Sequence, residues 1–142
     1  MNAPICPSCG EPAAEVQTSY GIKHRCCGLW SWHGKPLVSA EIHRARQHCH
    51  EVVDRLWRDA PGAYDIKEKP GTDEYAAAVR RIQKSARNRT YRWIADQLGL
   101  PEPECHMAAQ TDLAKLRLIW RAARDATPAI VRDWAKQQEP RQ

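Results

Sequence analysis

Cys6-Pro7-Ser8-Cys9-Gly10 is the stretch that decides the N-terminal fold of this 142-residue chain. Two thiols three positions apart can bind one tetrahedral metal ion across a short turn. A glycine directly after the second thiol permits the positive φ that such a turn adopts. Cys26 and Cys27 follow at the distance expected of a second ligand pair in a structural zinc site. The spacing predicts a zinc ribbon whose second pair of cysteines is adjacent.

The expected ligands of this zinc ion begin with Cys6, Cys9 and Cys26. Two adjacent cysteines strain a shared tetrahedral site, so the fourth position stays open among three side chains: Cys27, His33 and His24. A disulfide would need an oxidising compartment, and the polar start of the sequence shows no secretory signal. A catalytic zinc would need an open coordination position, which nothing near Cys6 indicates. We therefore expect a structural ion held by reduced thiols.

Composition limits the class of protein. The chain carries a net charge of +5 and a pI of about 9.0, a mild basic excess that favours polyanionic partners without requiring them. No apolar run approaches the ~20 residues that span a bilayer, so no membrane association is expected. Six tryptophans and no phenylalanine leave the aromatic burial to Trp, whose N–H suits half-buried positions. These features predict a cytoplasmic protein.

Apolar periodicity and turn signals predict an α+β, mostly α fold, with a zinc ribbon packed on a bundle of about four to five helices. Residues 1–37 are expected to form the ribbon, with a β-hairpin of strands Ala14–Thr18 and Ile22–Cys26 and an aromatic loop over residues 28–36. Residues 38–138 are expected to form the helical domain. Its predicted elements are helices over 39–59, 72–87, 89–98, 111–126 and 128–137, with a Pro-Gly-rich connector over 60–71.

Helix-capping residues set most of these predicted boundaries. Ser39 and Thr72 are good N-caps, Asn88 can start a new helix, and Gly99 suits a helix C-terminus. The first long helix carries an apolar stripe at 3-4-3-4 spacing, widened by Val53: Ile42, Ala45, Cys49, Val52 and Leu56. This stripe is expected to be core.

Six short motifs in this order resemble a family of phage and prophage proteins that is defined only by a zinc-finger-containing domain. The matching stretches are Cys6 to Gly10, Cys26 to His33, Pro36-Leu37, His50 to Trp57, Tyr91 to Gly99 and Cys105-His106. The match departs from the family at Lys23, which stands where a further cysteine is expected. The resemblance implies a small zinc-bearing protein of phage type, acting in the host cytoplasm if phage-encoded, and it brings no known activity.

A run of basic residues without an acid predicts a nucleic-acid contact, to DNA or RNA. Its members are Arg80, Arg81, Lys84, Arg87, Arg89 and Arg92. Neutralisation of phosphates by such clusters is the commonest source of nucleic-acid affinity. A solvated helix face explains the same pattern equally well. Arg117, Arg121 and Arg124 share one edge of a later helix and could extend the surface. Trp93 within this region is expected to be core.

A second polar row, His43, Gln47, His50 and Asp54, lies on one helix face. His50 and Asp54 are spaced to hydrogen-bond, and with His106 they are the candidate catalytic residues for metal-dependent phosphodiester cleavage. A polar structural network is the simpler explanation, because a nuclease usually offers more carboxylates. Cys105 beside His106 is similarly expected to be structural.

The sequence therefore predicts a zinc-binding, nucleic-acid-binding or regulatory protein that is more a binding protein than an enzyme. The alternative is a protein–protein module that inhibits a host defence protein through the tryptophan-rich loop Leu29 to His33. A metal-dependent nuclease ranks third.

Overall fold

A computed structural model describes residues 3–108 and 110–138, and in them a three-stranded antiparallel sheet precedes four α-helices. The predicted α+β, mostly α class is confirmed. The chain divides into two compact units between Ala45 and Arg46. The division falls inside the first helix, later than the boundary predicted at residue 37, and the two units are described separately below.

The sheet of the first unit has the order β1 (Ala14–Thr18), β2 (Gly21–Cys26) and β3 (Leu29–Trp32). The predicted hairpin corresponds to β1 and β2. The expectation that residues 28–36 form only a loop is wrong, because its first part is β3. Cys27 (φ 54°) and Gly28 (φ 78°) make the two-residue connection. Positive φ at both positions matches the twist of paired strands and turns the chain straight back into β3.

The apolar core of this unit is small. Cys6, Ala13 and Leu37 are buried together, and Cys26 and Leu29 pack against them while partly exposed. Since so few apolar groups are removed from water, burial alone stabilises the unit weakly.

The helices are α1 (Ala40–Arg58), α2 (Asp73–Leu98), α3 (Leu113–Arg124) and α4 (Pro128–Gln138), with 3-10 helices at Ala60–Ala63 and Glu102–Cys105. The Ser39 hydroxyl accepts the Ile42 N–H at 3.2 Å, and the Thr72 hydroxyl accepts the Tyr75 N–H at 3.1 Å. Gly99 ends α2 in the left-handed conformation at φ 62°. These three predicted caps lie where the sequence analysis placed them.

One continuous helix replaces the two helices predicted over 72–87 and 89–98. Asn88 is exposed and does not start a new helix. The buried face continues through it from Ala86 to Thr90 and Ile94, and the Thr90 hydroxyl donates to the Ala86 carbonyl oxygen at 2.7 Å within the helix. Packing of that face therefore outweighs the capping tendency of Asn88. α3 also starts later than predicted, capped by Asp112.

Each of the four helices contributes buried side chains to the second unit, with Val131 and Ala135 buried on α4. The fully buried side chains of this unit include Val53, Leu56, Ile94, Met107, Leu116 and Ile119. Cys49 on α1 donates its thiol hydrogen to the Leu116 carbonyl oxygen at 3.0 Å. The predicted stripe of α1 is rotated slightly, because Val53 is buried where Val52 is only half-buried.

Candidate metal centre and basic surface

Four thiols converge beside the hairpin. The Sγ atoms of Cys6, Cys9, Cys26 and Cys27 all lie within 4.8 Å of one another. Cys9 Sγ is 3.5 Å from Cys26 Sγ, and Cys26 Sγ is 3.6 Å from Cys27 Sγ. Four thiolates at the Zn–S distance of about 2.3 Å form a tetrahedron whose edges measure roughly 3.8 Å. The four cysteines can therefore hold a single tetrahedral metal ion with little rearrangement.

Two tight turns present these thiols. In the first, the Cys6 N–H donates to the Glu11 carbonyl at 2.8 Å, and the Gly10 N–H donates to the Cys6 carbonyl at 2.9 Å. Gly10 has φ 77°, as the sequence predicts for a residue after the second thiol. In the second, Cys26 ends β2 and Cys27 occupies the left-handed turn position. The adjacent pair avoids the expected strain because the chain reverses between strands at this point.

The electrostatics of the cluster favour a bound cation. The backbone N–H of Cys9 lowers the pKa of the Cys6 thiol to about 7. The side chain of Cys9, followed by those of Cys27 and Cys6, raises the pKa of Cys26 to about 12. Crowded thiols cannot all ionise without a positive charge among them, and a bound metal ion would supply that charge. The cysteines are free, with sulfur separations well beyond the disulfide length of about 2.05 Å.

Neither alternative fourth ligand belongs to this group. His33 lies at the β1–β2 turn, where a Cβ on Gly21 would come within 2.8 Å of its Cε1 atom. Cys26 stands at the other end of β2, about 16 Å along the strand. His24 is buried in the middle of β2, and its Nδ1 has no hydrogen-bond partner among the described residues. The geometry favours Cys27 for the fourth position.

Two residues of the polar row, His50 and Asp54, form a local network in the second unit, whereas His43 belongs to the first unit and contacts Trp30. His50 Nδ1 lies 3.6 Å from Asp54, Trp57 donates its indole N–H to Asp54 at 3.1 Å, and Arg58 lies 3.9 Å away. His106 stacks on Tyr91, with ring centroids 4.3 Å apart. Within residues 3–108 and 110–138, no second group of three metal-ligand side chains comes together. Asp54 thus has three structural partners, and a catalytic role for the row stays a prediction.

The predicted basic run lies on α2, and its side chains point to three different sides of the helix. Arg80, Lys84 and Arg87 are exposed and share one side of the helix at i, i+4 and i+7 spacing. We call these three residues the basic stripe. Arg81 and Arg92 are also exposed but point about a third of a turn away, and Arg81 lies 3.9 Å from Glu68.

Arg89 differs from the rest of the run. It is half-buried, donates to the Tyr64 hydroxyl at 2.6 Å, and its guanidinium lies over the Tyr64 ring. Arg89 therefore fixes the segment before α2 rather than facing solvent. On α3, Arg124 is similarly engaged with Asp125 and with the Trp120 ring, while Arg117 and Arg121 are exposed.

Sequence analysis singled out the tryptophan-rich segment Leu29 to His33 as a contact surface, but it missed that Lys23 on β2 packs against its tryptophans. Lys23 Nζ lies 4.4 Å from the Trp30 ring centroid and 5.9 Å from that of Trp32. The Trp30 ring stacks on His43 at 3.5 Å and meets Trp32 edge-on at 5.8 Å. The sequence does place Lys23 and Arg25 on the same face of β2. Because β3 was not predicted, this alternation could not show that Trp30 and Trp32 lie beside them.

Comparison with protein families, with curated proteins and with solved structures finds no match to this chain. Within the described part of the chain, no helix has the length and apolar character needed to cross a membrane. The function therefore has to be argued from the chemistry of the sites themselves.

Proposed function

We propose that this chain is a zinc-stabilised nucleic-acid-binding protein. Zinc held by the four clustered cysteines fixes the N-terminal unit, and the basic stripe on α2 contacts the phosphate backbone. The observation that carries the nucleic-acid part is the exposure of Arg80, Lys84 and Arg87 along one side of a helix without an acid between Glu74 and Asp96.

Zinc suits the cluster better than other common metal ions. Four cysteine thiolates are soft ligands, and a tetrahedral sulfur set is typical of zinc or of iron. Hard cations such as Mg²⁺ and Ca²⁺ prefer oxygen ligands, which the cluster does not offer. Elemental analysis of the purified protein should find about one zinc per chain and no visible absorption band. A coloured protein that contains about one iron per chain would show that the cluster binds iron and not zinc.

The basic stripe has the dimensions of a phosphate contact. From residue 80 to residue 87 the helix rises about 10 Å. One strand of duplex DNA carries about three phosphates over that length. No partner ties Lys84 among the described residues, while Arg87 lies over the Trp57 and Tyr91 rings and keeps its exposed side to solvent. The stripe can therefore meet a phosphate backbone without first breaking an ion pair.

Direct binding tests this proposal. Labelled DNA and RNA oligonucleotides, single-stranded and duplex, are titrated with the full chain at about 50 mM salt and followed by fluorescence anisotropy. We expect binding that weakens steeply as salt is added, because each neutralised phosphate releases condensed counterions. No binding to any of these probes at that salt concentration would remove the nucleic-acid function and leave a metal-stabilised protein of another kind.

A further inference from the structure

The second face of the sheet gathers the basic and aromatic residues of β2 and β3. Strand pairing places Arg25 opposite Trp30 and Lys23 opposite Trp32. Because side chains alternate along a strand, these four project from the same face, and the metal-ligating end of β2 closes one side of it. We call Lys23, Arg25, Trp30 and Trp32 the aromatic face.

Within the described part of the chain, the charged residues on this face of the sheet are the two cations Lys23 and Arg25. The nearest acid on the sheet, Glu15, pairs with His24 and so belongs to the opposite face. Arg25 is exposed, and within residues 3–108 and 110–138 it has no hydrogen-bond or ion-pair partner. Among the described residues, Lys23 contacts the two indole rings and no carboxylate. The aromatic face is therefore complementary to an anionic ligand.

The face also contains a concave site. A cleft on the sheet is lined by the cations Lys23 and Arg25, by Trp30, and by residues that include two cysteines of the cluster: Ala14, Cys26, Cys27, Gly28 and Leu29. The cleft thus brings an indole ring and two cationic side chains together. This combination suits a ligand that is both planar and negatively charged.

Trp30 is held rigidly on one side and covered loosely on the other. His43 Nε2 lies 2.8 Å from the Trp30 carbonyl oxygen, and the His43 ring stacks on the indole with an interplanar angle of 15°. A ring 3.5 Å away leaves no space on that side for another group, so Lys23 covers the opposite side of the indole. Lysine is long and flexible, and it can leave the ring for a ligand phosphate.

We propose that the aromatic face is a binding site for single-stranded nucleic acid. One base stacks on Trp30 in the place of the Lys23 ammonium, with Trp32 as an edge-on wall, and Lys23 and Arg25 pair with the flanking phosphates. Stacking needs an unpaired base, because a duplex keeps its base faces covered. The inference goes beyond the proposed function, since it uses residues of the first unit and does not need the basic stripe.

The test uses the full chain in which Arg80, Lys84 and Arg87 are all changed to Gln, so that the stripe no longer contributes. Binding of an eight-nucleotide oligo-dT, of an eight-base-pair duplex and of an acidic oligo-Glu peptide is followed by anisotropy. We expect a clear preference for oligo-dT. Adding Arg25→Gln should lower the salt slope by about 0.7 units, as expected for one lost phosphate contact on a single strand. Lys35→Gln removes an exposed positive charge from the loop after β3 and should leave the slope unchanged.

Trp30 substitutions test the stacking itself. Trp30→Leu should weaken oligo-dT binding by about 5- to 150-fold, the range expected for one lost base–aromatic stack, while Trp30→Tyr should retain most of the affinity. Zinc content and circular dichroism verify that both variants are folded. If Trp30→Leu misfolds, the Arg25→Gln slope alone decides.

Three outcomes would overturn the inference: equal binding of duplex and oligo-dT, tighter binding of the acidic peptide, or an Arg25→Gln slope equal to that of the parent. An intact chain that binds through Arg25 but not through the stripe would refute the proposed α2 contact and leave this inference standing.

Discussion

Replacing Cys9 by Ala tests how much the proposed metal ion stabilises the first unit. Cys9 is exposed, so the substitution removes almost no buried apolar surface, yet it deletes the sulfur that lies 3.5 Å from Cys26 Sγ. Any large effect must therefore come from lost ligation. Cys6→Ala would remove the same kind of ligand but would also leave a cavity beside Ala13 and Leu37.

The expected effect is large compared with the core. Full burial of a side chain such as Leu37 contributes about 2–3 kcal/mol; the other two buried members, Cys6 and Ala13, are smaller, and Leu29 is only partly buried. Structural zinc in small cysteine-rich modules contributes about 10–16 kcal/mol at neutral pH. The buried side chains cannot compensate for a loss of that size, so the strands should unfold while the helices of the second unit remain.

Limited trypsin digestion with mass spectrometry measures this directly. Lys23 and Arg25 lie inside β2 and should be protected in the metal-bound protein, but cut rapidly in Cys9→Ala and in chelator-treated protein. Cys49→Ser is the matched control, because it changes a cysteine outside the cluster and keeps a donor for the Leu116 carbonyl. A Cys9→Ala protein that retains one zinc and full protection at Lys23 and Arg25 would refute the reasoning.

Three further predictions concern the second unit. Trp93→Ala should lower the free energy of unfolding by about 3–5 kcal/mol in urea denaturation, because Trp93 is buried. Arg92 is its exposed neighbour, and Arg92→Ala should change the same free energy by less than about 0.5 kcal/mol. Gly99→Ala should lower the free energy of unfolding by about 1–2 kcal/mol in the same assay, because Gly99 has φ 62° and alanine is strained there. A Cβ at this position meets no atom within 4 Å, so the effect should come from the backbone alone. Asn tolerates this conformation better than Ala, and an equal loss for Gly99→Asn would contradict a backbone origin. Burial raises the pKa of Cys49 from 9.0 to about 11, so the contribution of the neutral thiol to stability is complete below pH 9 and is lost as the pH rises through 11. The urea midpoint should therefore fall between pH 9 and 11, and Cys49→Ser should make this fall smaller. An unchanged pH profile in Cys49→Ser would exclude Cys49 as its source.

Local sequence signals gave the caps and the metal-binding turn. Ser39, Thr72 and Gly99 act through their own side chains or backbone within one turn of helix, so their positions could be read without knowledge of the fold. The Cys6–Cys9 spacing is equally local. The grouping of Cys27 with them depends on how the chain reverses after β2, and spacing alone left it open against His24 and His33.

Features decided by distant packing escaped the sequence analysis. β3 was not predicted because the turn before it has Cys27 in a left-handed position, where Asn or Gly is the usual sequence signal of a hairpin. The continuity of α2 depends on a buried face shared by residues on both sides of Asn88, and the choice of Val53 over Val52 depends on the neighbouring helices. Arg89 cannot be distinguished by sequence from the other five cations of the run, because its contact with Tyr64 joins residues 25 positions apart.

The salt dependence of nucleic-acid binding in the wild type and in the Arg80→Gln, Lys84→Gln, Arg87→Gln variant tests the central claim most directly. We expect the log–log slope of affinity against salt to become less steep by about 0.7–0.9 units for each true contact, a change of about two to three units in total. Arg81→Gln and Lys136→Gln, exposed cations outside the stripe, should leave the slope unchanged. A triple variant with the slope and affinity of the wild type would contradict the account.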